Sequence, residues 1–473
     1  MKKNTKLVAV LSAAALMTIG MASMAFAANS GWQRDSSGTW YYYSNSGDMA
    51  QEQWKKSGDY WYWLGADGKM ATDSFVEDGD NYYYVNEDGV MITNQWKYIH
   101  TDYTDDYGWY YFGPNGKAVK KTGTKAKLQD INGKRYIFDE NGVMLYGWVN
   151  EEGDMLDEDS EDAWKEGMYY CGSDQDGAVT NGWISLDVDD DDNDNYNGYY
   201  WFYFNPTNGK KVKDEANKNI NGKRYGFDEN GAMLYEFSAV DDTATSSNAV
   251  SGYKYYQDYD NGVRQSGWFK AVPDENVHPE AYDDGDEKWF YANSNGTLKA
   301  STLASISGKK YAFNEYGEML TGLRGLELDG STIVSYTDEI EEEQDLDLVE
   351  GTAYAMYYFG DEDDGSMKKT SVTINLDGES YKYDFKSSGE GREGIYKDCI
   401  YVKGRRIDAD SDKGYILVDE NGIETKELGE AYLVNTSGKI QKKKTNAKDK
   451  DDTYYCTDAE GKVTYIGDDK YKD

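Results

Sequence analysis

The stretch GTWYYYSNSGDMA at positions 38–50 decides the fold, because similar stretches follow it at a constant spacing. Its aromatic part begins at residue 40 and returns as WYWLGADGKMA from residue 61 and as YYYVNEDGVMI from residue 82, so successive copies are 21 residues apart. Each copy combines an aromatic run, a turn with glycine and a methionine, which predicts a β-hairpin. Side-chain alternation places Trp40 and Tyr42 on one face of the strand, and Tyr41 and Tyr43 on the other.

A second aromatic residue precedes each run at the same spacing: Trp32, Trp54, Phe75 and Trp96. A single hairpin cannot bury its own faces, whereas hairpins that stack on their neighbours can. The repeat therefore predicts an all-β protein, an elongated solenoid of stacked β-hairpins built from aromatic repeats of about 20 residues.

A longer period groups the hairpins in threes from about residue 109, with modules of roughly 90 residues. Its aromatic runs are WYYF (109–112), WFYF (201–204) and WFYA (289–292). Acidic insertions separate the hairpins at 151–163, 187–194, 241–250 and 273–287. We predict a repeat array over 28–325 and degenerate repeats over 326–473, with a disordered or irregular acidic insertion near 325–351.

The first 27 residues have the features of a secretory signal peptide. Three lysines precede an apolar stretch that ends in the small-x-small cleavage site Ala25-Phe26-Ala27. A membrane anchor is the alternative interpretation, but the polar flank after Ala27 lacks the basic residues of a stop-transfer signal. We predict a secreted protein of the cell wall or cell surface, with no membrane insertion after signal removal.

The charge balance excludes several partner classes. The chain has 88 acidic and 50 basic residues, for a formal net charge of −38. Nucleic acid and anionic membrane surfaces are excluded as partners because both require a basic protein surface. Of the three cysteines, Cys171 and Cys456 close aromatic runs, so we expect them to fill buried apolar positions rather than form disulfides.

No sequence motif predicts catalysis, a cofactor or a metal site. His100 and His278 are the only histidines, both in polar, loop-like contexts, and the H-E-x-x-H, G-x-S-x-G and P-loop patterns are missing. We predict a protein that is not an enzyme, with a cell-wall hydrolase hidden in 325–473 as one alternative. Asp187, Asp189 and Asp191 have oxygen ligands that suit calcium, although solvated loops explain such acidic runs equally well.

The repeat GWQRDSSGTWYYYSNSGDMA (31–50) resembles a unit of the choline-binding, or cell-wall-binding, repeat family of Gram-positive surface proteins. INGKRYIFDENGVML (131–145) is similar to the related repeats of glucan-binding domains and clostridial toxins. The resemblance implies stacked hairpins with ligand sites between neighbours, where aromatic side chains hold a quaternary ammonium group by cation–π attraction. It implies a cell-wall polymer as partner, either a choline-bearing teichoic acid or a glycan.

Carried onto this chain, the resemblance implies a first cage from Trp32, Trp40 and Trp54. A second cage would use Trp54 and Trp61, with Phe75 in place of a tryptophan wall. The methionine position of the family would line these pockets. The complete set of implied ligand-binding residues is Trp32, Trp40, Tyr42, Trp54, Trp61, Tyr82, Trp96, Met49 and Met70. Packing between hairpins is the alternative role of the same aromatics, and it would make the protein a structural spacer or an adhesin-like stalk.

Overall fold

The computed structural model describes residues 30–104, 107–157, 159–188, 190, 198–240 and 249–472. The predicted signal peptide lies outside the described residues, as do most of the predicted acidic insertions at 187–194 and 241–250. The chain divides into two compact units. The first runs to Gly182 and includes Phe204–Lys211, and the second comprises Trp183–Tyr203 and Val212–Asp473.

The first unit consists of antiparallel two-stranded hairpins that pair consecutive strands, β1 with β2 through β11 with β12. A short helix, α1 (Ala163–Glu166), lies between the last two strands. The strands are β1 Gly31–Arg34, β2 Trp40–Tyr43, β3 Gln53–Ser57, β4 Tyr60–Leu64, β5 Ser74–Asp78, β6 Asn81–Val85, β7 Gln95–His100, β8 Tyr107–Phe112, β9 Gln129–Ile131, β10 Lys134–Tyr136, β11 Trp148–Val149 and β12 Tyr169–Tyr170.

The second unit continues with four hairpins of the same kind, from β13 with β14 to β19 with β20. A 3-10 helix spans Ala249–Gly252, and a second short helix, α2, spans Pro279–Asp283. The strands are β13 Gly182–Leu186, β14 Tyr200–Phe204, β15 Glu215–Ile220, β16 Lys223–Phe227, β17 Phe237–Ala239, β18 Tyr253–Tyr255, β19 Gly267–Ala271 and β20 Lys288–Ala292.

Beyond β20 the hairpins join into larger sheets. Two five-stranded sheets have the orders β22-β21-β24-β23-β25 and β26-β27-β30-β29-β28, and they are followed by the pair β31–β32 and the sheet β33-β34-β35. The strands are β21 Thr302–Ile306, β22 Lys309–Phe313, β23 Leu323–Asp329, β24 Thr332–Tyr336, β25 Ala355–Tyr358, β26 Val372–Leu376, β27 Glu379–Tyr383, β28 Gly394–Tyr396, β29 Cys399–Val402, β30 Arg405–Arg406, β31 Tyr415–Val418, β32 Tyr432–Asn435, β33 Ala447–Lys448, β34 Tyr454–Thr457 and β35 Val463–Gly467.

The segment 325–351, which the sequence predicted to be disordered or irregular, contains most of β23, all of β24 and a 3-10 helix at Glu343–Leu348. Leu326 and Ile333 of this segment belong to a buried cluster with Tyr357 and Phe359. Alternating apolar residues within the acidic stretch therefore make it part of the sheet core.

Each repeat ends in a turn and a single β-bridge. After β4, for example, Gly68 takes a φ of +74° in the turn, and Met70 then bridges back to Leu64 at the end of the strand. We call the residue that makes this bridge the bridge position. In the array it is occupied by Met49, Met70, Met91, Ala118, Met144, Lys211, Met233, Arg264, Leu298 and Met319.

The bridge position also joins successive hairpins. Its backbone N–H donates to the carbonyl of the leading aromatic residue in the second strand of the preceding hairpin. Met70 bonds in this way to Trp40 at 2.8 Å, Met144 to Trp109 at 2.8 Å and Met233 to Trp201 at 2.9 Å. The prediction of an all-β fold made of stacked aromatic hairpins is confirmed. No helix among the described residues has the length and apolar character needed to cross a membrane.

Candidate functional site

Strand register decides which aromatic side chains share a face of each hairpin. Trp32 lies opposite Tyr42 in the β1–β2 hairpin, Trp54 opposite Trp63 in β3–β4, and Trp96 opposite Tyr111 in β7–β8. Directly opposed residues of antiparallel strands point to the same side. The tryptophan of each first strand therefore packs on the aromatic run of its own hairpin.

The next hairpin supplies a further ring. The ring centroid of Trp32 is 5.2 Å from that of Tyr62, Trp54 is 5.0 Å from Tyr83, and Trp96 is 4.8 Å from Tyr136. The sequence analysis had expected the next first-strand tryptophan, such as Trp54 for Trp32, to form this wall. The backbone bond at the bridge position instead sets the second strand of the next hairpin against the tryptophan.

Three tryptophans stand at the centre of nearly identical aromatic clusters. Trp96, Trp183 and Trp268 contact their same-hairpin tyrosines at 5.1, 5.1 and 5.2 Å and their next-hairpin tyrosines at 4.8, 4.8 and 4.7 Å. A second tryptophan stands nearly perpendicular to each at 6.4, 6.5 and 6.4 Å. The Trp96 cluster is Trp96, Trp109, Tyr111, Tyr136 and Phe138; the Trp183 cluster is Trp183, Trp201, Tyr203, Tyr225 and Phe227; the Trp268 cluster is Trp268, Trp289, Tyr291, Tyr311 and Phe313.

The clusters have the chemistry of cation recognition. Their faces are aromatic quadrupoles, which attract a cation placed above a ring. Burial raises the pKa of Tyr136 and of Tyr225, so these phenols are neutral at neutral pH and add no full negative charge. Trp109, Trp201 and Trp289 each bury an indole N–H that has no hydrogen-bond partner among the described residues. Such unsatisfied donors are rare in proteins, and a ligand oxygen would satisfy them.

The remaining predicted ligand residues have different surroundings. Trp40 lies under the guanidinium of Arg34, whose central carbon is 5.8 Å from the ring centroid. Trp61 is 41% exposed. The ring of Tyr82 contacts Phe75 at 5.3 Å and has the ammonium of Lys120 over its face at 4.5 Å. The structure thus brings Trp32 together with Tyr42, and places Trp96 in a different cluster from Tyr82.

Met49 and Met70 pack against turns of the following hairpin. A Cβ added at Gly68 would lie 2.5 Å from the sulfur of Met49, and one added at Gly89 would lie 2.8 Å from Cε of Met70. Each methionine therefore fills the space that the absent side chain of a turn glycine leaves open.

The described residues offer little for catalysis. They contain no group of three or more His, Cys, Asp or Glu side chains placed to hold a metal ion. His278 is not in the solvated loop that the sequence predicted: its Nδ1 is 2.5 Å from Oε1 of Glu318, and its ring stacks on Tyr316 at 4.1 Å. The three cysteines are buried and unpaired, as expected for apolar positions. Asp189 and Asp191 of the calcium hypothesis lie outside the described residues.

Several residues of these clusters escaped the sequence analysis. It did not assign Tyr62, Tyr136, Trp109, Trp183 or Trp268 to a ligand site. The signal that could have identified the two tyrosines is their place one strand residue after the run begins, combined with the repeat period. For Trp183 and Trp268 the long insertions concealed a geometry that the structure shows to be the same as that of Trp96.

Comparison with known proteins defines the class of these hairpins. The choline-binding repeat pattern matches residues 48–90, and the cell wall binding repeat pattern matches residues 30–49 and 103–118. The hairpins are thus cell-wall-binding repeats. The family resemblance stated from the sequence, to choline-binding repeats, is confirmed.

Individual relatives carry similar repeats. Glucosyltransferase-S of Streptococcus mutans is 24% identical over 327 residues, which cover 65% of this chain and 20% of that protein, so the chain spans about a fifth of the relative's length. Two Streptococcus pneumoniae structures are similar: CbpJ, at 19% identity over 76% of this chain and 100% of that one, with a TM-score of 0.35, and the choline-binding domain of CbpL, at 23% identity over 50% and 98%, with a TM-score of 0.33.

Proposed function

We propose that this chain is a secreted, non-catalytic cell-wall-binding protein that holds choline groups of envelope polymers in its aromatic clusters. The observation that carries the proposal is the repeated geometry of the Trp96, Trp183 and Trp268 clusters, whose tryptophan–tyrosine distances agree within 0.1 Å. Packing alone requires only that apolar volume be filled, and cores tolerate many solutions to that requirement. Three copies of one arrangement favour a shared ligand.

The charge of the protein also favours choline over a simple polyanion contact. A net charge of −38 repels an anionic teichoic acid backbone. A quaternary ammonium group is attracted both by the aromatic faces and by the negative field around them. The proposal therefore assigns polymer recognition to the cationic substituent and not to the phosphate chain.

The decisive experiment must separate cage binding from ion exchange, because any acidic protein adheres to a quaternary-amine resin at low salt. In about 1 M NaCl the Debye length falls to about 3 Å, which removes long-range attraction but leaves short contacts inside a cluster. We expect the mature protein to remain on the resin in about 1 M NaCl and to elute with free choline. Loss of retention in salt alone would contradict the proposal.

A glycan ligand is the second candidate function, and a particular surface favours it. The β7–β8 hairpin extends Trp96 and Tyr111 into a row of aromatic rings toward its tip. Tyr98 contacts Tyr107 at 5.4 Å and Trp109 at 5.1 Å, and Tyr98 and Tyr107 are 41% and 55% exposed. Exposed aromatic rings with hydroxyl edges suit stacking against sugar rings.

The variant Tyr98→Ala/Tyr107→Ala tests the glycan candidate. It removes the exposed rings and leaves the Trp96 cluster in place. If glycans bind here, retention on insoluble glucan or purified wall glycan falls while choline elution is unchanged. Equal retention of variant and parent would exclude this surface.

Two other roles have their own readouts. A structural spacer would bind neither choline resin, nor glucan, nor purified cell walls. A hydrolase in 325–473 would clear a cell-wall zymogram. We expect binding to cell walls without clearing.

A further inference from the structure

One bridge position of the first unit holds a lysine where most neighbouring repeats hold methionine. Lys211 bridges to Phe204 as Met144 bridges to Phe138. Its backbone N–H donates to the carbonyl of Met168 at 2.8 Å, the same bond that Met144 makes to Trp109. The backbone of the repeat is therefore unchanged, and only the side chain differs.

The side chain of Lys211 is buried against an aromatic face. Lys211 is 4% exposed, and its ammonium lies 5.1 Å from the ring centroid of Trp148. Trp148, the first-strand tryptophan of the β11–β12 hairpin, is itself only 7% exposed. The ammonium also donates to the main-chain carbonyl of Trp164 and lies 3.4 Å from that of Lys165, both in α1.

This environment compensates a buried charge with groups that recognise ammonium ions. An ammonium group taken out of water costs several kcal/mol unless hydrogen bonds and charge attraction replace its hydration. Here a tryptophan face supplies cation–π attraction, and carbonyls at the end of a helix, which lack intrahelical donors, accept hydrogen bonds. The helix end and the lysine satisfy each other.

The same position elsewhere shows that a buried cation is not an accident of packing. Arg264 occupies the bridge position opposite Tyr256 in the second unit and is 7% exposed. Its guanidinium donates to Asn217 Oδ1 at 2.5 Å and to the Ser294 carbonyl at 2.7 Å. A cation at the bridge position can thus reach acceptors that a methionine would leave without a donor.

We propose that the Trp148 hairpin is an ammonium-binding site whose occupant is the chain's own Lys211. The tethered primary ammonium takes the place of a soluble alkylammonium ion, closes the site to external ligand and fastens α1 onto the β11–β12 hairpin. The acidic insertion that leads into α1 is in this way anchored at its C-terminal end. The inference does not depend on which ligand the Trp96, Trp183 and Trp268 clusters bind.

The test compares charge removal with volume removal. Lys211→Met keeps the side-chain length and installs the residue that the other repeats tolerate, so the variant is expected to fold. If Lys211 is an internal ligand, Lys211→Met lowers the thermal midpoint by several degrees and accelerates amide exchange in residues 163–167. Lys210→Met is the matched control, because Lys210 is adjacent and pairs with Glu151 at 2.7 Å near the surface. A Lys211→Met variant as stable as the parent, with unchanged exchange, would overturn the proposal.

Chemical rescue gives a second, independent measurement. Lys211→Ala leaves a space beside Trp148 that methylammonium or ethylammonium ions can enter. Added at millimolar concentrations, these ions should raise the thermal midpoint of Lys211→Ala, and they should not raise that of the parent or of Lys211→Met. Equal rescue by a neutral alcohol of the same size, or no rescue by any ammonium ion, would contradict an ammonium site.

Discussion

At the scale of single residues, the methionine and glycine of successive repeats depend on each other. The turn glycine needs a positive φ, which only glycine adopts at little cost, and it also leaves space that the preceding methionine fills. Met144 packs on Gly177 and Met233 on Gly262 in the same manner as Met49 on Gly68. A pattern that in sequence suggests ligand contact by methionine is therefore explained in large part by this packing.

Gly68→Ala tests this dependence against a matched glycine in the same repeat. Gly58 also has a positive φ, +58°, but an added Cβ there meets nothing within 4 Å. Gly58→Ala should lower the free energy of unfolding by about 1–2 kcal/mol through backbone strain alone. Gly68→Ala should cost about 1–3 kcal/mol more because Met49 is overpacked. Urea unfolding measures both, and equal losses would contradict the packing role of Met49.

Thiol labelling tests the burial of the cysteines. Cys171 is fully buried, and burial raises the pKa of its thiol to about 12, so the thiolate that reacts with disulfide reagents is nearly absent at pH 8. We expect Cys171 to resist Ellman's reagent in the native protein and to react at once after denaturation. Rapid labelling of Cys171 in the native state, identified by peptide mapping, would disprove its burial.

At the scale of the hairpin, the turns are held by a side-chain oxygen that accepts two backbone N–H groups. Asp139 Oδ1 accepts from Asn141 at 2.9 Å and from Val143 at 2.7 Å. In the equivalent turn, Asn314 Oδ1 accepts from Tyr316 and Glu318. The oxygen is what the turn requires, and the negative charge of an aspartate is not.

Asp139→Asn should therefore preserve the turn and change its response to pH. Burial raises the pKa of Asp139 above the unfolded value of about 3.9, so the folded state holds its proton to higher pH than the unfolded state does. The carboxyl thus destabilises the fold increasingly as the pH rises from the unfolded pKa through the folded one. We expect Asp139→Asn to match the parent at about pH 3 and to be more stable at pH 7.

The control for this turn is Asp139→Ala. It removes the acceptor and should cost about 1–3 kcal/mol at either pH, because two N–H groups lose their partner. Thermal or urea unfolding at the two pH values measures all three proteins. A stability difference between Asp139→Asn and the parent that shrinks toward neutral pH would refute the assignment.

Hairpin prediction from the sequence succeeded where local rules apply and stopped where they do not. The period, the aromatic strands and the shared face of Trp40 and Tyr42 follow from alternation within one strand, and they are present in the structure. The third ring beside Trp32 depends on the offset between hairpins, which a backbone bond at Met70 sets and the sequence does not display. The contact of Lys211 with Trp148 was unpredictable for the same reason, since it joins distant hairpins.

At the scale of the whole molecule, the clusters are separate sites. The Trp96 cluster lies in the first unit, and the Trp183 and Trp268 clusters lie in the second and share no residue. Sites that share no side chains generally make independent contributions to binding. Choline binding should therefore be additive over the clusters, and no single substitution should abolish it.

The variants Trp96→Leu, Trp183→Leu and Trp268→Leu test this additivity. Leucine is a suitable replacement because Leu323 already occupies the corresponding position at the start of β23, where it is buried. It removes the ring that attracts the cation and keeps apolar volume in the hairpin. At saturating choline, equilibrium dialysis should show one fewer bound equivalent for each single variant and three fewer for the triple variant. Trp164→Phe, which alters a buried tryptophan outside the three clusters, controls for general destabilisation. If one variant removed all bound choline, the clusters would be parts of one cooperative site; if none removed any, the ligand would bind elsewhere on the chain.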